Sequence, residues 1–301
     1  MKKALKIAGW TAAGLAGLVV VAMLLIRCCF SERVAALLHE TLRQERIELL
    51  QAAGGYAPDS VSFRFVYRQD TARARAIGAY FRPDTLADPS QTTWERTLAA
   101  ARFVARHIPH ANQSVYPERP NAIGLWEYSR TVEPAFNCRL HAILLHELLL
   151  AQGIANRFVT CLPADPEDND CHVVNIVWLP ERRKWAMIDS DMKAYAVDAA
   201  GVPLSLAEMR SRYLADEAID YRRLTDGRSD EMTYYRSYWA KNLYWFECWE
   251  ETGYDREAGR KGSRIIALVP PGFGGFRLGS DEALTHDEAR FWAAPEGMEL
   301  E

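Results

Sequence analysis

Little in these 301 residues speaks for nucleotide or nucleic-acid chemistry. There is no glycine-rich phosphate loop, no internal repeat, no low-complexity tract and no long run of lysine or arginine. The net charge is −4, so no overall field draws a polyanion and a nucleic-acid partner is not expected. Cysteine is scarce as well. Six in a chain of this length are too few for a disulfide scaffold, so the fold must rest on a hydrophobic core. A hydrophobic share of 49% and a charged share of 25% suit such a core and exclude a disordered or fibrous chain.

Charge of either sign is missing altogether from Ile7 to Ile26, IAGWTAAGLAGLVVVAMLLI, which follows Lys2, Lys3 and Lys6. A helix over this stretch, at ~1.5 Å rise per residue, covers ~30 Å, the thickness of the bilayer hydrocarbon. A membrane helix is therefore expected. Arg27-Cys28-Cys29 follows without a small-x-small cleavage signature, so the segment reads as an uncleaved anchor over 1–29. Cys28 and Cys29, at the membrane edge, could be acylated, pair between chains, or be inert. The lysine-rich start favours a cytoplasmic N-terminus and a soluble part outside the cytoplasm, although Arg27, Arg33, Arg43 and Arg46 blunt that bias.

Beyond the anchor, helices are expected over Ser31–Ala53, Thr92–His107, Asn121–Arg130, Asn137–Gln152, Ser205–Leu214 and the aromatic-dense Met232–Trp249. Strands are expected over Ser60–Tyr67, Ile154–Leu162, Cys171–Leu179, Lys184–Asp189 and Arg264–Val269. Gly153 is placed to stop the helix that begins at Asn137. The centre of the chain thus reads as a helix feeding an antiparallel meander of three strands, an α+β arrangement.

Chemistry concentrates in that meander. Cys138 stands at the start of its helix, where unpaired backbone N–H groups and the positive end of the macrodipole favour a thiolate and can receive an oxyanion. His172 opens the second strand and Asp189 closes the third, so a meander sets them at the same end of neighbouring strands. A nucleophile, a base and an acceptor that orients the base form a Cys-His-Asp relay. Rivals exist for each role. His141 lies three residues after Cys138 on the same helix face, and His146 reads as a surface residue. Asp191 could replace Asp189, whereas Asp170 reads as a solvated loop charge. Cys161 and Cys171 could pair across the hairpin or, with His172, hold a metal, although no CxxC or HxxxH spacing supports the latter.

Three stretches carry a family resemblance: FNCRLHAILLHELLLAQGIANRFVTC, DCHVVNIVWLPERRKWAMIDSDMKAY and DAAGVPLSLAEMRSRY. Together they resemble the transglutaminase-like superfamily, relatives of papain-type cysteine enzymes. YYRSYWAKNLYWF and RIIALVPPGF look like the C-terminal part of a bacterial, membrane-anchored branch. The resemblance puts the nucleophile on Cys138, the base on His172 and the orienting acid on Asp189, and implies a Cys helix packed on an antiparallel sheet. It implies no cofactor and no metal, since no calcium loop is evident. The tryptophan that assists the oxyanion in animal members has no counterpart here, because neither Trp94 nor Trp126 falls on that position.

The expected organisation is an anchor over 1–29, a helical part over 30–120, a transglutaminase-like core over 121–215 and an extension over 216–301 packed on it. The expected function is acyl transfer on amide or peptide bonds through a thioester, with a protein or peptide substrate at the cell envelope and either water or an amine resolving the intermediate. The alternative is an inactive member of the fold that serves as a tethered binding or scaffold module. The aromatic block from Tyr234 to Trp249 could wall a substrate groove or fill the core.

Overall fold

The computed structural model describes residues 34–82, 90–226, 230–257, 264–274 and 281–297, together with Leu18, Val19, Val21, Met23, Asp88, Gly279, Glu299 and Leu300. Apart from Leu18, Val19, Val21 and Met23, the expected membrane helix over 7–26 lies outside the described residues. Among those described, no helix is long and apolar enough to cross a membrane.

Residues 34–53 form helix α1. Then come β1 (Val66–Gln69), α2 (Thr71–Phe81), α3 (Thr93–His107), α4 (Ala122–Thr131) and α5 (Cys138–Leu150). The meander is β2 (Asn156–Leu162), β3 (His172–Leu179) and β4 (Lys184–Ile188). After it follow β5 (Ala194–Val197), α6 (Leu206–Leu214), β6 (Asp220–Arg223), α7 (Asp230–Asn242), β7 (Trp245–Trp249), β8 (Glu251–Thr252), β9 (Ile265–Leu268), β10 (Glu282–Thr285), α8 (Glu288–Phe291) and β11 (Glu299–Leu300). The fold is mixed α+β.

The central sheet runs β10-β9-β7-β2-β3-β4. It is antiparallel throughout except that β10 lies parallel to β9. Half of it comes from beyond residue 216, so the C-terminal part of the chain builds the sheet rather than merely covering it. Both faces are buried, which explains the nearly continuous apolar run of β3. Val173, Val177 and Leu179 join α3, α4 and α5 in one core, while Val174 and Ile176 join Ile47, Met209, Tyr235 and Trp239 in the other.

Helix α5 lies in the first core and is buried from Leu140 to Leu150. Asn137 caps it by accepting the Leu140 N–H at 3.0 Å. Past its other end, Gly153 takes a φ of 71°, which glycine adopts without strain. Two buried polar residues of this helix, His146 and Glu147, find partners in the tertiary structure. Asn175 of β3 donates to Ala142 O at 3.0 Å, which fastens the helix to the sheet. Glu147 accepts the Ala122 N–H at 2.8 Å and the Asp255 N–H at 2.7 Å. His146, expected at the surface, is instead 2% exposed, held by Asn156 Oδ1 at 2.7 Å and Thr252 Oγ1 at 3.0 Å. These partners come from elements that helix periodicity does not reveal.

Other expectations shift. The strand over Ser60–Tyr67 is only β1, and α2 was not expected because its apolar residues, Ile77 and Phe81, are too few to mark a face. Met232–Trp249 is not one helix. It breaks after Asn242, and Trp245–Trp249 inserts between β2 and β9, where β-favouring aromatics gain two strand partners. In α4, a Cβ on Gly124 would collide with the backbone carbonyl of Arg119, which cannot move because it also accepts the Asn121 N–H at 2.9 Å. Gly124→Ala is expected to cost about 2 kcal/mol or more of stability, measured by urea denaturation; a loss within a few tenths would contradict this packing.

Candidate active site

Cys138 occupies the first position of α5. Leu140 N–H is taken by the Asn137 side chain and His141 N–H by Asn137 O, so the Cys138 and Arg139 amides stand ahead of the first bonded ones. The approach to the helix is braced by Gln113, whose Nε2 donates to Ala135 O at 2.7 Å while its Oε1 accepts the Asn137 N–H at 3.3 Å.

His172 begins β3, and Asp189 follows the last residue of β4. The register Asn175↔Ile188 brings both to the same end of the sheet. His172 Nε2 donates to Asp189 Oδ2 at 2.7 Å, which leaves Nδ1 for the sulfur side. Tyr235 O–H donates to the same carboxylate oxygen at 2.9 Å, and Met192 N–H donates to Oδ1 at 2.9 Å. The His172 side chain is 3% exposed, with the rings of Tyr238 and Trp239 on it at 5.4 and 5.6 Å. Burial alone would lower its pKa, but the Asp189 charge and hydrogen bond, together with Cys138, raise it well above 6.5.

Asp191 also belongs to this cluster. Ligand atoms of Cys138, His172 and Asp191 lie within 4.8 Å of one another. By spacing alone such a group could hold a metal ion. The same three side chains, with Asp189 behind His172, also make a proton-transfer site. Asp191 accepts from His110 Nδ1 at 2.8 Å and lies 3.4 Å from His141 Nε2. Burial would raise its pKa, but the His110 hydrogen bond and the imidazoles of His141 and His172 hold it below the usual carboxylate range. His141 is buried with its Nε2 toward Asp191, and burial pushes its pKa down.

The group opens onto a cavity of about 1130 Å³ lined by His110, Asn112, Asp170, Cys171, Tyr234 and Tyr238, among others. Neither Trp94 nor Trp126 lines it. Trp126 stacks on Phe103 at 5.0 Å, and Trp94 meets Tyr195 edge-on at 5.5 Å. Cys161 and Cys171 are both free. Cys161 pairs in register with His172 and its thiol is buried in the second core; among the described residues it belongs to no group of three potential metal ligands. The loop before His172 is held on α7 by Lys241, which bonds Asp168 Oδ2 at 3.0 Å and Asp170 Oδ2 at 2.7 Å.

The aromatic block therefore divides its work. Tyr235 and Trp239 fill the core and hold the His172–Asp189 pair, while Tyr234 and Tyr238 face the cavity. The residues that sequence reading missed here are His110 and Tyr235. His110 carried no signal beyond lying in a polar loop, and Tyr235 was one aromatic among eight.

Glu247 of β7, opposite Thr160 on the cavity side of β2, is pushed up to about 7, chiefly by burial and by Glu282 against the opposing pull of Arg139. A carboxyl raised above its unfolded value of 4.5 stabilises the fold fully below that pH and loses the contribution as pH rises through about 7. Glu247→Gln is thus expected to match the native chain at pH 4 and to exceed it at pH 8 by on the order of 2 kcal/mol. Urea midpoints at the two pH values test this; an equal gap at both would contradict it.

No protein-family model matches the chain, and no curated protein matches it by sequence. Among solved structures it is similar to a candidate cysteine protease from Cytophaga hutchinsonii, with 15% identity, a TM-score of 0.31 and 56% of each chain covered.

Proposed function

We propose that this chain is a transglutaminase-like cysteine enzyme acting on amide or peptide carbonyls through a thioester. One observation carries the reading: a thiol at a helix start, grouped with an imidazole whose far nitrogen is bound to a buried carboxylate, at the edge of a large open cavity. In this reading Cys138 Sγ attacks the carbonyl carbon. The oxyanion is received by amides at the start of α5, with the helix dipole behind them. His172 then gives its proton to the leaving amine, and Asp189 keeps the ring in the tautomer that presents Nδ1 to the sulfur. Water or an amine resolves the thioester. The uncharged stretch at 7–26 supports a membrane tether, and the lysines before it support placement of this domain at the outer side.

The test is an acyl-donor screen of the full chain against Cys138→Ala, with and without a primary amine. An intact-protein mass increase that needs Cys138 is the expected result, and amine incorporation would identify a transferase. No adduct with any peptide, ester or amide donor would favour the non-catalytic scaffold.

A further inference from the structure

The cluster contains a second histidine–carboxylate pair for which the relay has no use. His110 donates from Nδ1 to both oxygens of Asp191, at 2.8 and 3.0 Å. Its backbone is pinned to the segment entering α5: Ala111 N–H bonds Phe136 O, and Phe136 N–H bonds Pro109 O, each at 2.9 Å. The imidazole is thereby held on Asp191, which has a carboxylate oxygen within 4.8 Å of the Cys138 sulfur, and His110 and Cys138 line the same cavity. Its access differs sharply from that of His172. The His110 side chain is 60% exposed and lines the cavity, whereas His172 is 3% exposed and walled by aromatic rings. With Nδ1–H bound to a carboxylate, the neutral ring presents Nε2 as a proton acceptor, and Asp191 stabilises the cation that forms when it accepts.

We propose that His110, backed by Asp191, is the general base that delivers the nucleophile resolving the thioester, a task separate from that of His172. The inference rests on Cys138 forming that thioester. A water on the cavity side, roughly 3 Å from the acyl carbon, loses one proton to His110 Nε2 while its oxygen forms the new C–O bond. Collapse of the tetrahedral intermediate breaks the C–S bond and returns its electron pair to sulfur. His110 gives up the proton it took, which restores the one His172 spent on the leaving group, and the second proton of the water leaves as the product acid ionises. An amine would take the same place as the water, losing its proton to the same nitrogen. His172 would then serve acylation, and His110 deacylation.

The test is pre-steady-state hydrolysis of p-nitrophenyl acetate by the full chain, because its good leaving group makes deacylation limiting. In His110→Ala and His110→Gln the nitrophenol burst is expected to stay within about threefold of the native rate. The steady-state rate is expected to fall about 100-fold, with an acetyl adduct accumulating on Cys138. Asp191→Asn should act in the same direction, and added imidazole should restore turnover in His110→Ala, since the site is open. Unchanged steady-state turnover, or an equal fall in burst and turnover, would overturn the inference and leave the cysteine reading intact. Absence of a burst in the native chain would remove both.

Discussion

Cys138 is expected to react with iodoacetamide at pH 6 about 100-fold faster in the native chain than in His172→Ala. An ordinary thiol near pKa 8.5 is less than about 1% ionised at that pH, and the thiolate is the reacting species. What changes this is a cation held in contact. His172 keeps its proton well above 6.5, since the Asp189 charge and hydrogen bond and the Cys138 side chain outweigh burial. Alanine removes that cation, and the other nearby imidazoles do not replace it. Burial lowers the pKa of His141, and His110 is turned to Asp191 through its Nδ1–H. Rates followed by mass spectrometry between pH 5 and 9 separate the cases. The native rate should exceed that of His172→Ala throughout the acidic part of this range. Equal rates at pH 6 would dissolve the pair and, with it, the proposed chemistry.

Asp189→Ala is expected to lower kcat/KM for an amide donor by about 10³–10⁴, and Asp189→Asn by nearly as much. The second half of this prediction follows from the hydrogen bonds. Asp189 accepts from Met192 N–H on one oxygen and from His172 and Tyr235 on the other. Asparagine has one acceptor oxygen. If it stays on Met192, the amide NH₂ faces His172 Nε2 and forces the proton onto Nδ1, which then confronts the sulfur as a donor. If it flips, an NH₂ is buried against the Met192 N–H, at a cost of ~1–3 kcal/mol. Tyr235→Phe removes one donor and leaves the tautomer, so it should cost far less. Stability carries a matching signature. A histidine whose folded pKa is raised stabilises the fold fully below its unfolded value of 6.5 and loses this as pH climbs through the folded value. Asp189→Ala should therefore lose more stability at pH 6 than at alkaline pH. An activity loss below tenfold for both variants would transfer the orienting role elsewhere, with Asp191, within 4.8 Å of the same imidazole, the candidate.

The parts of this site that could be read along the chain share a physical basis. A helix-period apolar run after Asn137 marks α5, and short apolar runs bounded by turn residues mark β2, β3 and β4. Strands joined by short turns must be neighbours, so His172 and Asp189 fall together without knowledge of the remaining fold. Elements defined by partners were not legible. β7 looked like more helix because its aromatics suit either structure, and only insertion between β2 and β9 decided the matter. His146 looked exposed because Asn156 and Thr252, which satisfy it, lie far outside its own helix.

By itself the sequence determined the α+β character, the helix on which Cys138 stands first, and the meander end that carries His172 and Asp189. Helix periodicity, apolar runs and turn residues are local signals that span a few residues. The tertiary structure alone decided what surrounds them. Tyr235 reaches Asp189 across 46 residues, and His110 reaches Asp191 across 81. Contacts at such separations depend on how layers pack, and packing leaves no period in the chain.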